Sequence, residues 1–126
     1  MSSEHTYGSV RYIVTDVQAA IDFYVNHLGF TLRSHPAPPF AEVTRGTLRV
    51  LLSGPGSSGA RATPADLDVP GRNRIHVLVD DLAHEIERLR TSGVHLSGDV
   101  VSGPGGQQVL ISDPDGNLVE LFQPAR

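Results

Sequence analysis

Two stretches far apart in the chain carry the same pattern of apolar and polar positions. Val10-Arg11-Tyr12-Ile13-Val14 and Ile75-His76-Val77-Leu78-Val79 are rich in β-branched and aromatic residues, with a polar residue in second place. Both read as strands. Each is followed by an aspartate, Asp16 or Asp81, and then by apolar residues at i, i+3, i+4 spacing. In the first stretch these are Val17, Ala20, Ile21, Tyr24 and Leu28, and in the second Leu82, Ile86 and Leu89. The spacing predicts two amphipathic helices. Asp16 and Asp81 suit their N-caps, because a carboxylate accepts the orphan backbone N–H groups of a first turn. Gly29 and Gly93 suit their C-terminal stops. Further on, Phe40–Thr44 and Leu48–Leu52 flank Arg45-Gly46-Thr47, while Gln107–Ser112 and Leu118–Phe122 flank Asp113-Pro114-Asp115-Gly116-Asn117. Gly and Pro at those places predict hairpins, each preceded by a short strand.

The similarity amounts to an internal repeat. Val10 falls on Ile75, Tyr12 on Val77, Val14 on Val79 and Asp16 on Asp81. Farther along, Arg45-Gly46-Thr47-Leu48 is laid over Asp115-Gly116-Asn117-Leu118. The predicted fold class is α+β, with two strand–helix–three-strand modules in tandem within one domain over residues 1–126. Module one covers about 7–53 and module two about 74–124, joined by a linker over 54–73. That linker is dense in Gly, Pro, Ser and Asp, and its length suggests a crossing between sub-structures or a cover over a site.

Composition narrows the function classes. Of the 126 residues, 39% are hydrophobic and 19% charged, enough for a core in one domain. There is no cysteine, which excludes disulfides, thiolate metal sites and cysteine nucleophiles. Ten Lys and Arg against 14 Asp and Glu give a net charge of −4, contrary to non-specific nucleic-acid binding. No apolar run reaches the ~18 residues of a membrane span. The opening Met1-Ser2-Ser3-Glu4-His5-Thr6 has no signal-peptide pattern, so a cytoplasmic location is the expectation.

Three segments carry a family resemblance: Val14–Tyr24, His27-Leu28-Gly29-Phe30, and Asp113-Pro114-Asp115-Gly116-Asn117-Leu118-Val119-Glu120-Leu121. With the repeated strand–helix at 75–94, the chain resembles the vicinal oxygen chelate superfamily of glyoxalases, bleomycin-resistance proteins and dioxygenases. The resemblance implies curved mixed sheets around a cavity, with helices on the outer faces. It also implies four places for metal ligands, one in the first and one in the last strand of each module. Those places hold Ser9, Val50, Arg74 and Glu120. Only Glu120 is a good ligand, and Arg74 is a permanent cation that repels a metal. A catalytic divalent site commonly needs three protein ligands. The expectation is therefore no cofactor, with a divalent metal on Glu120, His76 and His5 as the alternative.

Strand alternation supplies the expected cavity lining. Ser9, Arg11 and Ile13 face it from the first strand, and Arg74, His76 and Leu78 from the repeat. Leu48, Val50 and Leu52, together with Leu118, Glu120 and Phe122, are expected from the last strands. Phe40 follows Pro36-Ala37-Pro38-Pro39, where the resemblance places a loop over the cavity mouth, and Tyr7 is a further rim candidate. The expected ligand-binding set is Ser9, Arg11, Phe40, Val50, Arg74, His76, Leu118, Glu120 and Phe122. Arg74 is expected to take the metal's place and pair with Glu120. The Asp113–Asn117 segment resembles a calcium loop superficially, but its Pro and its missing bidentate Glu make it a hairpin turn.

Apolar walls with a few polar anchors fit a small-molecule pocket. The expected function is metal-free sequestration of a hydrophobic or aromatic natural product, in the manner of antibiotic self-resistance. Such members imply a homodimer with cavities at or near the subunit interface. The alternatives are a glyoxalase- or dioxygenase-like metal enzyme, or a metal-free enzyme of natural-product biosynthesis using the same cavity.

Overall fold

In a computed structural model, residues 9–66 and 68–126 are described. The element order is β1 (Val10–Ile13), α1 (Val17–Leu28), β2 (Thr31–Ala37), β3 (Phe40–Arg45), β4 (Leu48–Ser53), α2 (Ser58–Ala62), β5 (Arg74–Leu78), α3 (Leu82–Thr91), β6 (Val101–Gly103), β7 (Gly106–Ser112) and β8 (Leu118–Pro124). Two compact units divide at Gly71/Arg72, each holding one predicted repeat.

In the first unit a four-stranded mixed sheet has the order β1-β4-β3-β2. β1 runs parallel to β4, and the β2–β3 and β3–β4 pairs are antiparallel. α1 packs on one face. Its Val17, Ala20, Ile21, Phe23, Tyr24 and Leu28 are buried together with Tyr12, Val14, Val43, Val50 and Leu52. Tyr24 stands at the centre of an aromatic cluster, edge-on to Tyr12, Phe23 and Phe30 with ring centroids 6.2, 5.2 and 5.3 Å away. Such packing adds to the burial of large apolar surfaces. The Asp16 carboxylate accepts the Ala19 N–H at 3.1 Å. Gly29 ends the helix in the left-handed region at φ 72°, which a residue with a Cβ adopts only at a cost.

The second unit repeats the plan, with the order β5-β8-β7-β6 and β5 parallel to β8. α3 buries Leu82 and Leu89 with Ile75, Val77, Val109, Ile111, Val119 and Leu121. The Asp81 carboxylate caps α3 by accepting the His84 N–H at 3.1 Å. The β7–β8 connection is a hydrogen-bonded turn, as its sequence predicts. Asp113 Oδ1 accepts the Asp115 and Asn117 N–H groups at 2.9 and 2.8 Å. Asn117 Nδ2 donates to Asp113 Oδ2 at 2.8 Å, and Asn117 Oδ1 accepts the Asn73 N–H at 2.9 Å. The turn thereby ties the start of β5 to that of β8.

Two features differ from the sequence expectation. The linker contains the short helix α2, capped by buried Ser57, whose Oγ accepts the Ala60 N–H at 3.2 Å and donates to Gly54 O at 2.8 Å. The proline stretch is shared between edge strand β2, which takes Pro36 and Ala37, and the turn at Pro38-Pro39. An edge strand tolerates Pro because one side of its backbone has no strand partner.

Candidate binding site

In each sheet the polar candidates lie on the face turned away from the helix. In the second unit, register pairs Arg74 with Leu118, His76 with Glu120 and Leu78 with Phe122. Ile75 and Val77 point under α3 and are buried, so alternation sends Arg74, His76 and Leu78 the other way. Arg74 Nη2 donates to Glu120 Oε1 at 2.7 Å, the ion pair the sequence reading expects. His76 Nε2 stands 3.7 Å from Glu120 Oε2. The His76 and Phe122 rings lie 5.0 Å apart with 37° between their planes. Five of the nine expected residues, Arg74, His76, Leu118, Glu120 and Phe122, thus share one sheet face. Leu110 and Gln108 join them from β7, opposite Glu120 and Phe122. The alternation of buried Val109 and Ile111 was the sequence signal for these two.

In the first unit Arg11 Nη1 donates to the Oγ of fully buried Ser53 at 2.6 Å. Gly59 of α2 lies so close to the guanidinium that a Cβ there would collide with it. The linker helix therefore holds the Arg11 head in place. Phe40 is half-buried and pairs in register with Ser53, on the Arg11 side of the sheet. Ser9 immediately precedes β1 and is exposed.

Val50 is a correction. It is fully buried under α1 in register with Val10 and Val43, so it does not line the other face. The same holds for fully buried Leu52, while Leu48 shares its side of the strand. Arg49, Leu51 and Ser53 occupy the face expected of those three. Leu51 lies opposite Arg11 as Glu120 lies opposite His76, which makes Leu51 the counterpart of Glu120. The slip comes from the hairpins. β3 and β4 turn through Gly46-Thr47, whereas β7 and β8 turn through 113–117, so overlaying the glycines displaced β4 by one residue. One residue moves a side chain to the other face. Sequence reasoning also missed the Glu42–Arg49 ion pair at 2.8 Å on this face. Arg49, as the polar position between Leu48 and Val50, was its signal.

His5 and Tyr7 lie outside the described residues. Among the described residues no three His, Asp or Glu gather where they could hold a metal ion. The four ligand places carry a hydroxyl at Ser9, an aliphatic side chain at Leu51, a cation at Arg74 and one carboxylate already engaged by that cation. Within each unit these side chains are poor donors for a divalent ion. Two clefts within the second unit, of about 430 and 370 Å³, are lined by other residues, around Gly93–Asp99 and around Gln107 and Gln123. No helix among the described residues is long and apolar enough to cross a membrane.

Two strand–helix–three-strand units in tandem, each with polar side chains on the sheet face away from its helix, define the class. The chain belongs to the Glyoxalase/Bleomycin resistance protein/Dioxygenase superfamily, whose family model matches residues 6–121. Nothing among curated proteins matches it. Among solved structures it is similar to TnmS3, an antibiotic binding protein from Streptomyces sp. CB03234, with 28% identity, 94% of this chain and 96% of that one covered, and a TM-score of 0.73. A superfamily member from Sphaerobacter thermophilus is 27% identical, with 93% and 95% covered and a TM-score of 0.73. A lactoylglutathione lyase from Agrobacterium tumefaciens shares the fold at 21% identity, with 91% and 90% covered and a TM-score of 0.73.

Proposed function

We propose that this protein binds and sequesters a hydrophobic, aromatic small molecule of natural-product type, without a metal ion. The observation that carries the reading is the Arg74–Glu120 ion pair at 2.7 Å, set beside the His76 and Phe122 rings. A guanidinium already bound to the Glu120 carboxylate offsets its charge and competes with a metal ion for it. The rings beside it offer stacking and apolar surface. The 28% identity with an antibiotic binding protein over nearly the whole chain supports the same reading. In this reading the protein is a cytoplasmic homodimer, and no bond of the ligand is made or broken.

The test has two parts. Protein purified without chelator, supplied with manganese, iron, nickel and zinc and then washed, is expected to retain almost no metal by elemental analysis. One tightly held ion per chain would overturn the metal-free reading and direct attention to His76, Glu120 and His5. A thermal-shift and calorimetric screen of hydrophobic aromatic natural products is expected to find a saturable ligand recovered chemically unchanged. Turnover of that ligand would replace sequestration with catalysis.

A further inference from the structure

Glu120 Oε1 accepts a hydrogen bond, while Oε2 stands within ion-pair distance of His76. Oε1 accepts the Arg74 Nη2 donor at 2.7 Å. Oε2 has His76 Nε2 at 3.7 Å, beyond hydrogen-bonding reach. The Glu120 side chain is only 15% exposed, against 48% for Arg74 and 49% for His76. A carboxylate oxygen that accepts no hydrogen bond from the protein gains from a donor brought to it by a ligand. Beside it lies an apolar ledge. The His76 and Phe122 rings lie 5.0 Å apart, and Leu78, opposite Phe122 in register, is 56% exposed. One acceptor beside exposed His76 and Leu78 and half-buried Phe122 is a recognition element with a definite polarity.

We propose that Glu120 Oε2 is the specificity-determining group for a planar aromatic ligand that carries a hydrogen-bond donor, a phenolic O–H or an aromatic-amine N–H. The ligand ring rests on His76, Phe122 and Leu78 while its donor reaches Oε2. Arg74 is a positioning residue that holds Oε1 and so aims the other oxygen outward. An aromatic bearing only acceptors meets a like lone pair at this place and binds less well. The inference rests on the aromatic-ligand reading above and adds to it the polarity of the polar anchor.

The experiment compares two probes that differ by one proton donor, β-naphthol and its methyl ether. Each is titrated into the full-length protein while the His76 ring protons are followed by NMR. Both are expected to shift His76, with β-naphthol bound roughly 10-fold or more tightly, the worth of a hydrogen bond to a charged acceptor. In Glu120→Gln, Arg74 keeps the amide oxygen and the amide nitrogen turns outward, so the preference vanishes or passes to the ether. Arg74→Met lowers the affinity for β-naphthol more than that for the ether, and Arg74→Lys restores part of the loss. Equal affinity of the two probes for the unmodified protein overturns this inference while leaving aromatic binding standing. Retention of the naphthol preference in Glu120→Gln also overturns it. Failure of both probes to perturb His76 overturns it together with the stacking role of the ledge.

Discussion

Asn117→Ala is the substitution whose cost can be worked most directly from the structure, and it acts on the site from a distance. Asn117 is fully buried, and its side chain makes two hydrogen bonds. Oδ1 accepts the Asn73 N–H at 2.9 Å, and Nδ2 donates to Asp113 Oδ2 at 2.8 Å. The first is a neutral bond worth about 1 kcal/mol, and the second, to a buried carboxylate, about 1.5–3 kcal/mol. Alanine restores neither partner, so the loss is about 2–4 kcal/mol of unfolding free energy. For a chain of this size that lowers Tm by roughly 8–15 °C. Asn73 also accepts the Leu118 N–H through its carbonyl at 2.8 Å and immediately precedes Arg74, so the start of the β5–β8 pair loosens where Arg74 meets Glu120. Urea unfolding of the parent and Asn117→Ala, with exposed Glu87→Ala as a control expected to stay within about 0.5 kcal/mol, measures the effect. An unchanged m with a loss below about 1 kcal/mol would refute the assignment of this turn as the clamp between β5 and β8.

Two further predictions probe the first unit. A Cβ on buried Gly54 would lie 2.7 Å from Val17 Cγ2, and the χ1-restricted valine at the head of α1 cannot swing aside freely. Gly54→Ala is therefore expected to cost about 1–3 kcal/mol in urea unfolding, and a neutral result would show that α1 moves to make room. The β4 register predicts opposite outcomes for neighbouring residues. Val50→Lys places a charge in the fully buried layer under α1 and is expected to abolish soluble expression, while Leu51→Lys folds, as circular dichroism and solubility will show. The reverse order would refute the register.

Local chemistry made much of this protein legible in its sequence. The β-branched runs, the aspartate caps at Asp16 and Asp81, the stop at Gly29 and the turn at Asp113–Asn117 act over a few residues. Each appears in the structure where its residues predict it. In β8 the single charged residue among apolar neighbours, Glu120, marked its face without ambiguity, and Leu118 and Phe122 followed by alternation. In β4 the run Leu48-Arg49-Val50-Leu51-Leu52 offers apolar residues to both faces, so only the pairing with β1 and β3 decides that Val50 and Leu52 go under the helix. A helix in the linker was hidden because five residues bury too little to leave an apolar stripe. α2 exists through the Ser57 cap and its place over Arg11 and Ser53. The sequence by itself determined the repeat, the order of elements within each repeat and the residue types available for binding, because capping, turns and periodicity are encoded within a few positions. Tertiary structure alone decided the register of β4, the clamp from Asn117 to Asn73 and which partner each Glu120 oxygen meets. Each of these depends on side chains distant in sequence meeting at a distance that strand pairing sets.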